Sequence, residues 1–224
     1  MALTLVSIAC AFVGSLYWSS VAIWSLKLDS VQAFRLLFKS VNLSLCYIGF
    51  QTRMRLSSSF RAAKAAAFCA AYDHATDDAG YSFDAHQNFF HFAQKHLDTA
   101  CLVKTQMLYA KELEGRLERD GLVRGSVALE LILRVMGVEQ SFCQHLSIEC
   151  VGEFLQIVDD LIDLEHDTRF SETNCILSQS YAFWLNKSAT FNWDAVEKHL
   201  TCTIVLSMVV RKAQEKAREL LAGV

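Results

Sequence analysis

The chain has 224 residues with 9 glycines and no proline, which excludes polyproline linkers, cis-prolyl turns and low-complexity disorder. So few breakers argue against an all-β sandwich or barrel, which needs turn residues at short intervals, and favour long helices. A formal net charge of −3 and a sequence pI near 6.2 leave no electrostatic footprint for nucleic acid.

Residues Met1 to Leu26 carry no charged side chain, a run long enough to span a bilayer. No basic segment precedes it, so a signal peptide fits poorly. Two readings stand: a membrane anchor ending at Lys27, with Tyr17, Trp18 and Trp24 near one interface, or a fully buried first helix of an apolar bundle. Asp29 to Gln51 is amphipathic, with Asp29 or Ser30 as N-cap. The stretch from Ser57 to about Asp78 is rich in alanine, a strong helix former, and Gly80 is its expected stop. Asp84 is placed to cap one long helix reaching about Glu118, with a break near Asp120–Gly121. Further helices are expected from Arg124 to Gly137, from Gln140 to about Asp167, from about Cys175 to Leu185 and from Trp193 to the end. No strand, internal repeat or domain boundary stands out. The expected fold is all-α, a single-domain antiparallel helical bundle covering residues 1–224.

Eight cysteines are spread almost evenly, with no CxxC pair. That disfavours a structural zinc site and suits reduced core residues in a cytoplasmic compartment.

The strongest chemical signal is Gln156-Ile-Val-Asp-Asp-Leu-Ile-Asp-Leu-Glu-His-Asp167. Asp159, Asp163 and Asp167 are spaced by fours, and Asp160 precedes Asp163 by three. On a helix these spacings align carboxylates on one stripe, here among apolar neighbours. Like charges about 4 Å apart repel by roughly 1 kcal/mol in water and roughly 4 kcal/mol at an effective dielectric of 20. Divalent cations reverse the sign, because carboxylate oxygens are the ligands Mg²⁺ prefers. A second cluster, Tyr72-Asp73-His-Ala-Thr-Asp77-Asp78, follows the apolar alanine-rich stretch. Two such stripes facing each other across a bundle would clamp metal ions bridging a polyanion such as diphosphate.

The segment VGEFLQIVDDLIDLEHD resembles the second aspartate-rich helix of the class I isoprenoid (terpenoid) synthases: FQxxDDxxD in the trans-prenyltransferases, and a related acidic pattern in the terpene cyclases. AAYDHATDD resembles the first motif of that family in its DxxxD form. The resemblance implies an all-α fold and a Mg²⁺ cluster of three ions. Asp73, Asp77 and Asp78 would hold it on one side and Asp159, Asp160, Asp163 and Asp167 on the other, with a prenyl diphosphate between them. Asp73, Asp77, Asp159 and Asp160 would be the catalytic carboxylates, and ionisation would give an allylic cation that cyclises or couples. The Gly-Lys-Arg-Pro segment of the chain-elongating enzymes is absent, which favours a cyclase over a prenyltransferase.

Released diphosphate needs cationic donors. Arg61 and Lys64 lie upstream of the first cluster, and Arg116, Arg119 and Arg124 surround an expected helix break at Gly121 and Gly125. Arg124-Gly125 resembles the place where the cyclases sense diphosphate with an arginine. Phe68, Tyr72, Phe89 and Phe154 are candidates to line an apolar pocket and stabilise a cation, and Asn174 is either a further polar ligand or a turn residue. The family reading implies a prenyl diphosphate as partner and admits a homodimer and membrane association through residues 1–26. A His166-Asp167 dipeptide, with His91 and His145, offers an HD-type phosphohydrolase as a weak competitor. A non-enzymatic, membrane-anchored bundle with structural acidic stripes is the remaining alternative.

Overall fold

Without proline the chain is free to stay helical for long runs, and it does. The computed structural model describes residues 2–50, 56–78, 82–113, 121–138, 147–170, 174–177, 181–200 and 204–223; within these, the side chains of 2–4, 77–78, 111–113, 121–124 and 170 are not described. Among the described residues there is no β-strand and there are ten α-helices: α1 (Ala2–Leu26), α2 (Ser30–Tyr47), α3 (Leu56–Asp73), α4 (Phe83–His96), α5 (Thr99–Leu113), α6 (Gly121–Met136), α7 (Ile148–Phe170), α8 (Tyr181–Thr190), α9 (Trp193–Glu197) and α10 (Ile204–Ala222). The fold is all-α.

Local chemistry explains the boundaries. Asp29 caps α2 through a full capping box: its carboxylate accepts from the backbone of Val31 and Gln32, while the Gln32 side chain accepts from Asp29 N–H. The single helix expected from Asp84 to Glu118 is two helices. Ser82, not Asp84, caps α4. Leu97 is extended, and Asp98 restarts the helix by accepting from the Cys101 backbone at 2.8 Å. That bond holds the Asp98 carboxyl below its usual range. Gly137, in the left-handed region at φ 71°, ends α6 with bonds from its own N–H to Arg134 and from Val138 N–H to Leu133. Gly125 is not a helix break. It lies inside α6, where a Cβ would run into the Gly152 carbonyl and Gln156 of α7, so the two backbones approach closely there.

The chain divides into two compact units: Met1–Met107 with Leu131–Glu139 and Leu200–Thr203, and Leu108–Glu130 with Gln140–His199 and Ile204–Val224. In the first unit α1, α2 and α3 pack on one another. The alanines of α3 are almost all buried, and their small side chains let α1 approach at Gly14, where a Cβ would meet Ala63 at 2.8 Å and Phe60 at 3.0 Å. α1 is long and apolar enough to cross a membrane by length and composition, and it is not a fully buried core helix, since Trp24 is 83% exposed. In the second unit α7 is the central element, and α8 and α10 pack against it. Its core includes Val151, Phe154, Ile157 and Leu161, all buried. Phe154 stacks on Phe191 with ring centroids 3.9 Å apart.

Candidate functional site

The acidic helix α7 does not carry one stripe. Residues four apart on an α-helix drift by about 40°, and adjacent residues differ by about 100°. Asp163, Asp167 and Asp160 therefore fan over roughly 100° from Asp159, and the boundary between core and surface passes through the fan. Asp159 and Asp163 are exposed, while Asp160 and Asp167 are buried.

The buried pair is engaged by the polypeptide itself. The Asp160 carboxylate accepts from Gln156 Nε2 at 2.9 Å on Oδ1 and from the Cys175 backbone N–H at 2.8 Å on Oδ2. The Asn174 amide donates to Asp167 Oδ2 and to the Asp160 carbonyl, both at 2.7 Å, and its own oxygen accepts from Ile176 N–H at 2.9 Å. Asn174 thus opens the one-turn 3₁₀ helix Cys175–Leu177, the turn role its sequence position suggested, and its amide is bonded to the acidic helix itself. Burial, and after it the Asp160 carboxylate, push the Cys175 thiol well above its ordinary value. Outside this group, Lys187 of α8 bonds Glu153 one turn upstream at 2.8 Å.

In the first unit Asp73 ends α3 and is paired with Lys39 of α2. Lys39 was not among the sequence candidates; the available signal was its place on the amphipathic α2. Beyond Asp73 the chain runs through a π-helical turn, His74–Asp78, a feature common at functional sites. The Thr76 hydroxyl contacts the Tyr72 and Asp73 carbonyls at 3.2 and 3.3 Å, side-chain competition of the kind that diverts a helix from regular α pairing. The α-helical spacing assumed for Asp73 and Asp77 therefore does not hold there. The side chains of Asp77 and Asp78 lie outside the described residues. One turn before Asp73, loss of hydration pushes the Cys69 thiol up to about 12, and the neighbouring Tyr47 phenol is raised for the same reason.

Two of the cationic candidates, Arg61 and Lys64, are placed elsewhere. Arg61 and Lys64 lie on α3 about 18 and 14 Å along the axis from Asp73, at 1.5 Å per residue. The Arg61 guanidinium fills the space beside Gly137 at the C-terminus of α6, where a cation suits the helix dipole. Lys64 sits over the Trp18 ring, 5.3 Å from its centroid, and burial lowers its pKa. Arg116, Arg119 and the Arg124 side chain lie outside the described residues, as does His145. Among the aromatic candidates, Phe68 and Tyr72 both pack on Phe89 with centroids 5.5 Å apart, and all three are buried. Phe154 belongs to the other unit, in the stack with Phe191.

Among the described residues, no group of three or more His, Cys, Asp or Glu side chains is gathered to hold a metal ion. Mg²⁺ is commonly held by only one or two carboxylates together with substrate phosphates rather than by an all-protein cage. Asp159 and Asp163 are an exposed pair of carboxylates one turn apart on α7. Asp160 and Asp167 have oxygens committed to Gln156, Cys175 and Asn174. No family model matches the chain, and neither a curated protein nor a solved structure matches it.

Proposed function

We propose that the chain is a Mg²⁺-dependent class I isoprenoid synthase that ionises a prenyl diphosphate, a cyclase rather than a coupling prenyltransferase. The observation that carries this reading is the division of labour on α7. Asp159 and Asp163 are exposed one turn apart, on a helix whose other side is fixed by buried apolar side chains and by the Asp160–Asn174–Asp167 bonds. A rigid support for an exposed carboxylate pair is what a preorganised ion site needs. The reading gives Asp159 and Asp163 the metal. Bound Mg²⁺ would neutralise the charge that develops on the departing diphosphate. Asp160 and Asp167 hold the helix in place, and Asn174 positions them. The all-α fold and the absence of the Pro-containing elongation segment support the reading.

The test is release of inorganic pyrophosphate from geranyl, farnesyl or geranylgeranyl diphosphate by the purified chain with Mg²⁺. A hydrocarbon or alcohol product from a single substrate supports the cyclase. Product formed only when isopentenyl diphosphate or an aromatic acceptor is added moves the assignment to a prenyltransferase. No Mg²⁺-dependent release from any of the three substrates removes the enzymatic reading.

A further inference from the structure

α1 is built inside out. Its buried positions include Ser7, Ala11, Ser15 and Ser19, whereas Leu5, Phe12, Val13, Leu16, Tyr17 and Trp24 are exposed. A helix in a water-soluble bundle turns its large apolar side chains inward; small residues inward and large apolar residues outward is the arrangement of helices that meet lipid. α2, joined to α1 by a three-residue turn and packed on it, repeats the pattern with charges added. Leu36, Ser40 and Ser44 face inward, while Val31, Phe34, Arg35, Phe38 and Lys39 form an exposed stripe. Phe34 and Phe38 are 68% and 63% exposed and stack on each other.

We propose that the first unit docks on an anionic phospholipid bilayer through the outer faces of α1 and α2, lying on the membrane rather than crossing it. Charge identifies the occupant. The α1–α2 segment, residues 1–50, holds Lys27, Arg35 and Lys39 against one acidic residue, Asp29, whereas the whole chain holds twenty-one basic against twenty-four acidic residues. Exposed Lys27, Arg35 and Lys39, the last paired with Asp73, share these elements with exposed Trp24, Phe34 and Phe38, and in the headgroup region aromatic rings and long cationic side chains sit together. Packing argues against a span. α1 runs beside α3, with Cys10 bonded to the Leu56 carbonyl, Gly14 against Ala63 and Trp18 under Lys64. Hydrocarbon around α1 would therefore also surround α3, with its exposed Arg61, at a cost that membrane interiors rarely carry. This inference stands apart from the enzymatic reading, and its test uses no activity.

The experiment is co-sedimentation of the full chain with phosphatidylcholine vesicles, with and without phosphatidylserine. Binding is expected with phosphatidylserine and is expected to weaken as salt rises. Lys27→Gln with Arg35→Gln should weaken it about 25-fold, about 5-fold for each basic residue near an anionic surface. Trp24→Ser with Phe34→Ser and Phe38→Ser should weaken it at least about 100-fold. These side chains are exposed, so circular dichroism should be unchanged in both variants. Protease added outside sealed vesicles should leave no protected fragment. Failure to bind vesicles of either composition overturns the proposal. So does a dimer in lipid-free buffer that the triple variant dissociates while vesicles stay unbound, since the face would then cover a second copy. A protected fragment containing α1 overturns it in favour of a span.

Discussion

The Asn174 side-chain amide donates to Asp167 Oδ2 and, at the same 2.7 Å, to the Asp160 carbonyl two turns earlier. One short side chain thereby ties the segment after α7 back to the acidic helix. All three residues are buried, so the bonds replace hydration that the groups cannot regain. Asn174→Ala leaves a buried carboxylate and a buried carbonyl short of a donor, and bonds to charged groups are the stronger ones. A loss of roughly 2–4 kcal/mol is expected, read as a lower urea midpoint at constant m-value. Asn174→Asp is expected to be worse at neutral than at acidic pH, because a new carboxylate would face Asp167; a pH-independent loss would contradict this.

The same geometry separates two classes of aspartate on one helix. Asp159→Asn with Asp163→Asn alters exposed side chains and is expected to leave the unfolding midpoint within about 0.5 kcal/mol. Under the proposed function it should lower pyrophosphate release at least about 100-fold. Asp160→Asn removes an acceptor that serves Gln156 and the Cys175 N–H, and should cost stability by about 1–3 kcal/mol. Measuring urea midpoints and turnover on both proteins distinguishes the roles. A stable Asp160→Asn protein and an unstable double variant would reverse the assignment.

Helices were legible in the sequence because the chain has no proline and caps such as Asp29 are strong local signals. The break at Leu97 was not, because it depends on one aspartate side chain within a continuous apolar-polar pattern. Within the acidic motif, spacing identified the residues but not their division. Asp159 and Asp160 are adjacent letters, and only packing decides that the core edge falls between them. Gly125 shows the same limit: from sequence a glycine marks a stop as readily as a close contact, and here the contact with Gly152 decides it. Arg61 and Lys64 are one turn apart in sequence, yet the structure seats them against Gly137 and Trp18, partners far away along the chain.

His96 provides a pH test of the packing around Trp18. Its ring meets Trp18 edge-on with centroids 5.4 Å apart, and burial first, then the Lys64 and Lys95 charges, lower its pKa from 6.5. The folded state thus binds a proton less readily than the unfolded chain. The contribution to stability is complete above about pH 6.5. It is lost as pH falls through the lowered folded value, because the unfolded chain takes up the proton first. Lys64→Met removes one of the two cations, so the His96 resonance should titrate at higher pH than in the unaltered protein. Two-dimensional NMR of the ring Cε1–H follows this directly. An unmoved or lower midpoint would show that Lys64 does not act on His96.

Two serines one turn apart on α1 should respond oppositely to the same substitution. The Ser15 hydroxyl lies 2.8 Å from the Ala11 carbonyl and 2.7 Å from the Ser44 hydroxyl of α2, which itself contacts the Val41 carbonyl at 2.9 Å. Ser15→Ala removes a buried bond between helices and should cost about 1 kcal/mol. The Ser19 hydroxyl is buried and has no hydrogen-bond partner among the described residues. Its desolvation is uncompensated, and alanine is the better helix former. Ser19→Ala should therefore leave stability unchanged or raise it by up to about 1 kcal/mol. Thermal unfolding of the two variants in parallel gives the comparison, and a loss on Ser19→Ala as large as that on Ser15→Ala would contradict the distinction between the two hydroxyls.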